Sequence, residues 1–468
     1  MAEHKQFRAI RGVRDILPPY TALWNRVEEI AREVFARFNF QEIRLPIFEQ
    51  TELFARSVGA DTDIISKEMY TFADPPETYL EYIQKCLREM GHDGYRKFAE
   101  ENPDRLRKEI EERGEVKLVS LRPEATASVV RAYIEHGMQV LPGPLKLYYM
   151  GPMFRRERPQ KGRYRQFYQI GAEVLGRGVS FAADAEVIAM LMTFFEMCGL
   201  RDHTLYINSI GCNDQECRPA YLARLRVELL KVKHRLGPDS QRRIETNPLR
   251  VFDSKLPEEQ EIIEGLPHIA SQLCDACSQD YEGLKNVLGM RDVSFQENWR
   301  LVRGLDYYTQ TTFEVTVPGA GAQDAICGGG RYDGLVELIG GPKFSGIKGV
   351  GFAVGEDRLV EAVRDSARLK AIRPLEVYIA WIGNTSEKAQ ELARLLRNSR
   401  FGVEVPIEEQ KLKKSLSIAS MKGARHALIV GEDEVVSGLF TLKRLADGEQ
   451  RKVSEGELVG VLEAERKT

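Results

Sequence analysis

The chain is short of cysteine, has no excess of positive charge and has no long apolar run, and each shortage removes a class of protein. Seven cysteines, an odd number spread over 468 residues, argue against the disulfide framework that staples small secreted domains. No stretch approaches the ~20 consecutive apolar residues that a helix needs to cross a bilayer. The opening MAEHKQFRAIRG has no apolar segment of the signal-peptide kind. A cytoplasmic location without membrane contact is therefore expected. The formal net charge is −3, so any contact with nucleic acid has to come from local basic patches. With 43% hydrophobic and 29% charged residues, the composition is that of an ordinary globular protein with enough chain for two or three cores.

The most informative segment is Leu145 to Gly176, LKLYYMGPMFRRERPQKGRYRQFYQIGAEVLG. Two runs rich in Tyr, Phe, Leu, Ile and Val flank a stretch broken by Pro159 and Gly162, which reads as an antiparallel hairpin. Its tip, Arg155 to Arg165, holds six basic residues against one Glu. On the return strand, alternation puts Tyr168, Ile170, Ala172 and Val174 on one face and Gln169, Gly171 and Glu173 on the other. One face is core, and the other offers two polar groups on either side of a residue without a side chain. Solvated charge on a long surface hairpin is the plain alternative for the tip.

Elsewhere the pattern is mixed. TALWNRVEEIAREVFARF, about 20 to 38, has helical spacing, and QEIRLPIFE reads as a strand interrupted by Pro46. Residues 75–117 read as an inserted helical hairpin, and 213–290 as a second, mostly helical insertion that carries paired cysteines. After a charged linker at 361–373, LEVYIAWIG, EKAQELARLLRNS, GVEVPI and HALIVG alternate as βαβαβ over 374–468, a separate α/β domain.

Six blocks, in order, carry a resemblance: RGVRDILPP, LRPEATASVVRAYIEHG, FRRERPQKGRYRQFYQIGAEVLG, LVRGLDYYTQTTFEV, CGGGRYDGL and GVGFAVGEDRL. Together they resemble bacterial-type histidyl-tRNA synthetases, which are class II aminoacyl-tRNA synthetases. The resemblance implies an α+β catalytic domain built on an antiparallel sheet over residues 1–360, with the two helical insertions, followed by an α/β anticodon-binding domain. It also implies the reaction: L-histidine and ATP, with Mg2+, give histidyl-adenylate and pyrophosphate, and the histidyl group passes to the 3′ end of tRNA(His).

By the same resemblance, Arg155 and Arg303 are the catalytic arginines at the α-phosphate, and Arg358 completes the ATP site. A guanidinium suits this role because its fork stays charged and grips phosphate oxygens in pairs. Glu356 and Asp357, just before Arg358, suit a helix N-terminus, with ordinary capping as the plainer reading. The histidine-binding set is Glu124, Ala125, Thr126, Gln169, Glu173, Tyr307, Tyr308 and Tyr332. A buried site with partners for both imidazole nitrogens rejects apolar amino acids by leaving its own polar groups unpaired. Arg158 and Gln160 match positions that meet the tRNA acceptor end, while Arg156, Lys161 and Arg165 suit phosphates.

RFNFQEIRLPIFE resembles motif 1, which implies a homodimer. Two residues depart from the family pattern: Asn39 and Ala125 stand where glycine is usual. Asn tolerates a left-handed backbone, and the methyl group of Ala125 narrows the substrate loop slightly. Cys212 and Cys217, with Cys274 and Cys277, have spacings suited to one structural zinc ion; free thiols in a reducing compartment are the other reading. The 75–117 insertion suggests no function. A regulatory subunit of ATP phosphoribosyltransferase, or an RNA-binding module, would lack the RGLDYYT block or the adenylation arginines.

Overall fold

The computed structural model describes residues 7–59, 62–74, 77–103, 108, 117–160, 162–319, 324–343, 346–364, 366 and 375–466. Lys161, most of the second half of the 75–117 insertion and most of the 361–373 linker lie outside them. The chain divides into two units, Met1–Leu369 and Lys370–Thr468.

The first unit contains strands β1 (Gln41–Glu42), β2 (Phe48–Gln50), β3 (Thr71–Asp74), β4 (Lys117–Leu121), β5 (Leu145–Phe154), β6 (Gln166–Arg177), β7 (Thr204–Ser209), β8 (Gln296–Glu297), β9 (Thr309–Thr316), β10 (Ala325–Arg331) and β11 (Ile347–Gly355). Eight form one sheet in the order β1-β5-β6-β11-β10-β9-β7-β8, antiparallel except at its two edges. β2, β4 and β3 form a small second sheet. Pro46 lies between β1 and β2, so QEIRLPIFE divides into two strands serving different sheets, because proline cannot donate to a ladder.

The hairpin β5–β6 pairs in register from Leu145 opposite Leu175 to Phe154 opposite Gln166. Ile170, Ala172 and Val174 are buried on one face of the sheet together with Val350, Phe352, Phe313 and Val315. That face is covered by the helix Tyr20–Arg37, whose Leu23, Val27, Ile30, Val34 and Phe35 recur at helical spacing. The helix Phe181–Cys198 lies in the same core; Ser180 caps its N-terminus, and Gly199, at φ +74°, ends it. Asn39, just after the first helix, adopts φ +61°, the left-handed conformation that asparagine bears better than most residues.

The opposite face is covered as well. Leu147, Tyr149, Met153 and Leu175 pack there with Val129 and Val130 of the helix Thr126–Glu135 and with Tyr221, Leu225 and Leu229 of the helix Arg218–Lys231. The polar stripe of β6 thus lies partly beneath other elements. Residues 213–290 contain four helices, Arg218–Lys231, Pro238–Thr246, Pro257–Glu264 and Asp275–Met290. The helix Glu77–Glu101 is broken at Gly91, where φ is +70° and ψ 174°.

The second unit is a five-stranded sheet of β12 (Val377–Trp381), β13 (Val403–Glu404), β14 (His426–Val430), β15 (Leu439–Arg444) and β16 (Gln450–Ser454), in the order β13-β12-β14-β15-β16. The parallel part is the expected βαβαβ. The antiparallel hairpin β15–β16 and the helix Glu455–Arg466 extend it, with Asp447 and Gly448 (φ +81°) at the turn. Among the described residues no helix is long and apolar enough to cross a membrane.

One buried ion pair locks the main sheet to its helical cover. Arg331 of β10 donates to Asp184 at 2.6 Å and to the carbonyl of Val179 at 2.7 Å, with side-chain exposures of 3% and 0% for the pair. Burial pushes Asp184 up to about 6 in spite of Arg331. Arg331→Met would strand a buried carboxyl and is expected to cost about 3–5 kcal/mol, read as a lower urea midpoint for the first unit, whereas pairing it with Asp184→Leu should recover most of the loss. An unchanged midpoint in the single variant would remove this pair from the account of stability.

Candidate active site

The site is built on the inner strands β6, β9, β10 and β11 and on the loops that reach over them. Glu173 stands opposite Leu147 on one side and Gly351 on the other. A Cβ at Gly351 would lie 1.7 Å from Glu173 Oε2, so only glycine leaves room for the carboxyl. Likewise a Cβ at Gly328 would lie 1.6 Å from Nη2 of Arg303. The glycines of CGGG and GVG are thus sites of close approach, where long side chains lie flat on the sheet.

Glu173 is 1% exposed. Its Oε1 accepts from the hydroxyl of Thr126 at 2.7 Å and its Oε2 from that of Tyr332 at 2.7 Å. Burial pushes its carboxyl up to about 8; the two hydroxyls pull it down, and neighbouring Glu124 pushes it up further. Glu124 is also raised by burial, although it accepts the N–H groups of Thr126 at 2.8 Å and Ala127 at 3.0 Å, which begin a helix. Tyr307 donates to Glu124 at 3.4 Å, and its ring lies 4.7 Å from that of Tyr308 and 6.0 Å from that of Tyr332. Burial raises both carboxyls, so a cation placed beside them would favour their charged forms.

A cleft of about 830 Å3 opens beside this pocket. It is lined by Glu124, Thr126, Gln169, Tyr307 and Tyr308 and also by Arg155, Arg303 and Arg358. Glu173, Tyr332 and Ala125 do not line it. Ala125 is fully buried in the apolar cluster with Val129 and Val130, so its methyl group points into the core and leaves the cleft unchanged. Gln169 Oε1 and Tyr149 Oη are buried atoms without a hydrogen-bond partner at this wall.

The arginines are held by backbone and by acids. Arg155 donates to the carbonyl of Pro123 at 3.0 Å and lies over the ring of Phe167. Arg303 pairs with Glu314. Arg358 donates to the carbonyls of Gly162 and Ala325. Burial, with Arg163 and Arg155 nearby, pushes Arg358 below the ordinary guanidinium range. Crowded cations of this kind mark an anion site. Asp357 accepts from the backbone N–H of Tyr168 and from Arg14, while both oxygens of buried Glu356 have no partner, so neither acid acts as a simple side-chain cap.

Arg158 and Gln160 are exposed at the hairpin tip, away from the cleft lining, where Gln160 and Arg163 exchange backbone hydrogen bonds. Tyr149, Glu314 and Glu157 were missed from sequence. Tyr149 is the cross-strand partner of Gly171, and Glu314 alternates with buried Phe313 and Val315, so pairing and alternation held the signal for both. Glu157 lies 3.8 Å from Arg155 and 3.5 Å from Arg163, which tempers the charge of the tip. In the helical insertion Cys212, Cys217, Cys274 and Cys277 bring their sulfurs within 4.8 Å of one another.

Comparisons with known proteins show the family. A family model described as histidyl-tRNA synthetase matches residues 93–359, and one described as an anticodon binding domain matches residues 376–465. The histidine–tRNA ligase of Koribacter versatilis is 49% identical, with 96% of this chain and 95% of the relative covered. That of Solibacter usitatus is 44% identical over 98% and 99% of the two chains. The crystal structure of apo histidyl-tRNA synthetase from S. aureus superposes with a TM-score of 0.73 at 31% identity, covering 98% of this chain and 100% of that one. The chain belongs to the histidyl-tRNA synthetase family.

Proposed function

We propose that both half-reactions of histidine–tRNA ligation take place in this one cleft, with the roles divided by its polarity. The single observation that carries the division is that Glu124 and Gln169 line one cleft with Arg155, Arg303 and Arg358, with buried Glu173 directly behind Thr126 of the lining. Histidine brings an ammonium and an imidazole to the carboxyls. Glu124 and Gln169 take the ammonium, Glu173 accepts an imidazole N–H, and Tyr307, Tyr308 and Tyr332 wall the ring, with Thr126 holding Glu173 in place. ATP, taken with Mg2+ as substrate, brings its phosphates to the three arginines.

The histidine carboxylate then attacks the α-phosphorus, a P–O bond forms to the carboxylate oxygen, and the bond to the β-phosphate oxygen breaks to release pyrophosphate. Negative charge accumulates on the α-phosphate oxygens. Arg155 and Arg303 stabilise it from fixed positions, and Arg358 holds the nucleotide. In the second half-reaction a ribose hydroxyl of the terminal adenosine attacks the acyl carbon, its proton leaves, and AMP departs with the bonding pair. Arg158 and Gln160, exposed on the hairpin tip, suit the tRNA acceptor end, and the C-terminal unit suits the anticodon.

A homodimer through the motif 1 region is supported by Phe48, Phe72 and Leu118, 56%, 47% and 55% exposed on the small sheet beside it. The four clustered thiols suit one Zn2+, and the substrates suit a cytoplasmic location.

ATP–pyrophosphate exchange against a panel of amino acids should proceed with histidine alone; an equal rate with another amino acid would sink the reading. Arg303→Ala should cut exchange on the order of 10²–10³-fold or more with little loss of tRNA affinity, and near-intact exchange would free Arg303 of its role. A third expectation concerns pH. Glu173, protonated below about 8, is competent as the carboxylate, so KM for histidine should fall as pH rises from about 7 and level off above about 8, while the free imidazole (pKa ~6.5) stays neutral. Glu173→Gln should raise KM and flatten this dependence. A flat profile in the unmutated protein would contradict the assignment.

A further inference from the structure

Cys212 and Cys217 lie on the loop that enters the helix Arg218–Lys231, and Cys274 and Cys277 lie at the start of the helix Asp275–Met290. All are free thiols. Their sulfurs all lie within 4.8 Å of one another, and Cys212 Sγ stands 3.8 Å from Cys274 Sγ. A disulfide would need about 2.05 Å. A tetrahedron of thiolates about 2.3 Å from zinc has edges of about 3.8 Å, so the spacing is that of ligands around one ion.

The same loop grips the segment that carries the pocket tyrosines. Ile210 N donates to Gln310 O and Gln310 N to Gly211 O, both at 2.8 Å. Arg218, next to Cys217, donates to the carbonyl of Tyr308 at 2.6 Å. The Gln310 side chain reaches Cys277 Sγ at 3.6 Å and Asp280 at 3.3 Å. Residues 213–216 are exposed and lie outside regular structure, and the direct links from this loop to the other cysteine pair are weak, Cys274 N to Cys217 Sγ at 3.5 Å and Cys212 Sγ to Cys274 Sγ at 3.8 Å. A metal ion would replace them with four bonds.

We propose that a zinc ion on Cys212, Cys217, Cys274 and Cys277 is a positioning device for the amino-acid pocket, holding Tyr307 and Tyr308 at the cleft wall through Arg218 and Gln310. The inference rests on the reading of the cleft as a histidine site. On binding, the ligating thiols give up their protons to solvent and the metal bonds replace the S–H bonds.

Elemental analysis of the full chain, purified without chelator, should find one zinc per chain; under about one tenth would overturn the site. Cobalt in place of zinc should give the absorption of a tetrahedral thiolate complex. In pyrophosphate exchange, the metal-stripped protein should show KM for histidine raised on the order of tenfold, in the range typical of groups that support a metal site, with KM for ATP little changed and zinc restoring the original value. Arg218→Met keeps all four ligands, so it should retain zinc and still raise KM for histidine; zinc retained with an unchanged KM would overturn the tether. Zinc-loaded, folded protein that exchanges with no histidine at all would overturn the reading of the cleft instead, so the two failures are distinguishable.

Discussion

Burying a carboxyl in the middle of a sheet costs several kcal/mol unless its oxygens are hydrogen-bonded or it takes up a proton, and Glu173 does both. Thr126 and Tyr332 satisfy one oxygen each, and the proton persists to about pH 8. Those two partners come from opposite ends of the unit, one at the start of a helix and the other just beyond β10. Their meeting at one carboxyl requires the order β6-β11-β10 in the sheet, with a glycine at 351 to leave the space. The glycine-rich strands follow from the burial of Glu173 and Arg303, because a methyl group at 351 or 328 would occupy the place of the functional atoms.

The cleft brings raised carboxyls and crowded guanidiniums into one lining. Burial raises both Glu124 and Glu173, and Glu124 raises Glu173 further, so a cationic ligand relieves what burial imposes. Arg358 is lowered by burial and by its neighbouring arginines, so an anion does the same. A ligand that set its ammonium against the guanidiniums, or its phosphates against the carboxylates, would place like charges together at low dielectric, so charge favours one pairing before any bond changes.

Much of this was legible in the chain. The alternation of residues 168–174 separates Ile170, Ala172 and Val174, now in one core, from Gln169 and Glu173 on the other face. Asn39 announced a left-handed turn. The depth of Glu173 was not legible, because its cover comes from residues 47 and 159 positions away, and alternation reports which face a residue takes but says nothing of what lies over that face. For the same reason the spacings of the four cysteines could not show that the fold brings the two pairs together. The hairpin β15–β16 was overlooked although Asp447 and Gly448 mark its turn, since a βαβ pattern directs attention to parallel strands.

Gln310 joins these strands of argument. It holds φ +47°, a left-handed conformation that costs a non-glycine residue about 1–2 kcal/mol and persists where surrounding bonds over-determine it. Here the surroundings are backbone bonds in both directions to residues 210 and 211 and side-chain contacts to Cys277 and Asp280. The strain falls between two ordered regions, the loop that bears the cysteines and the strand that leads back to Tyr308 and Tyr307. A residue relaxed to an ordinary conformation would redirect the chain by the time it reached the tyrosines, two and three positions earlier. Fixing Gln310 therefore fixes the two aromatic rings at the cleft, and a substrate site that must distinguish an imidazole from other side chains depends on walls that do not move.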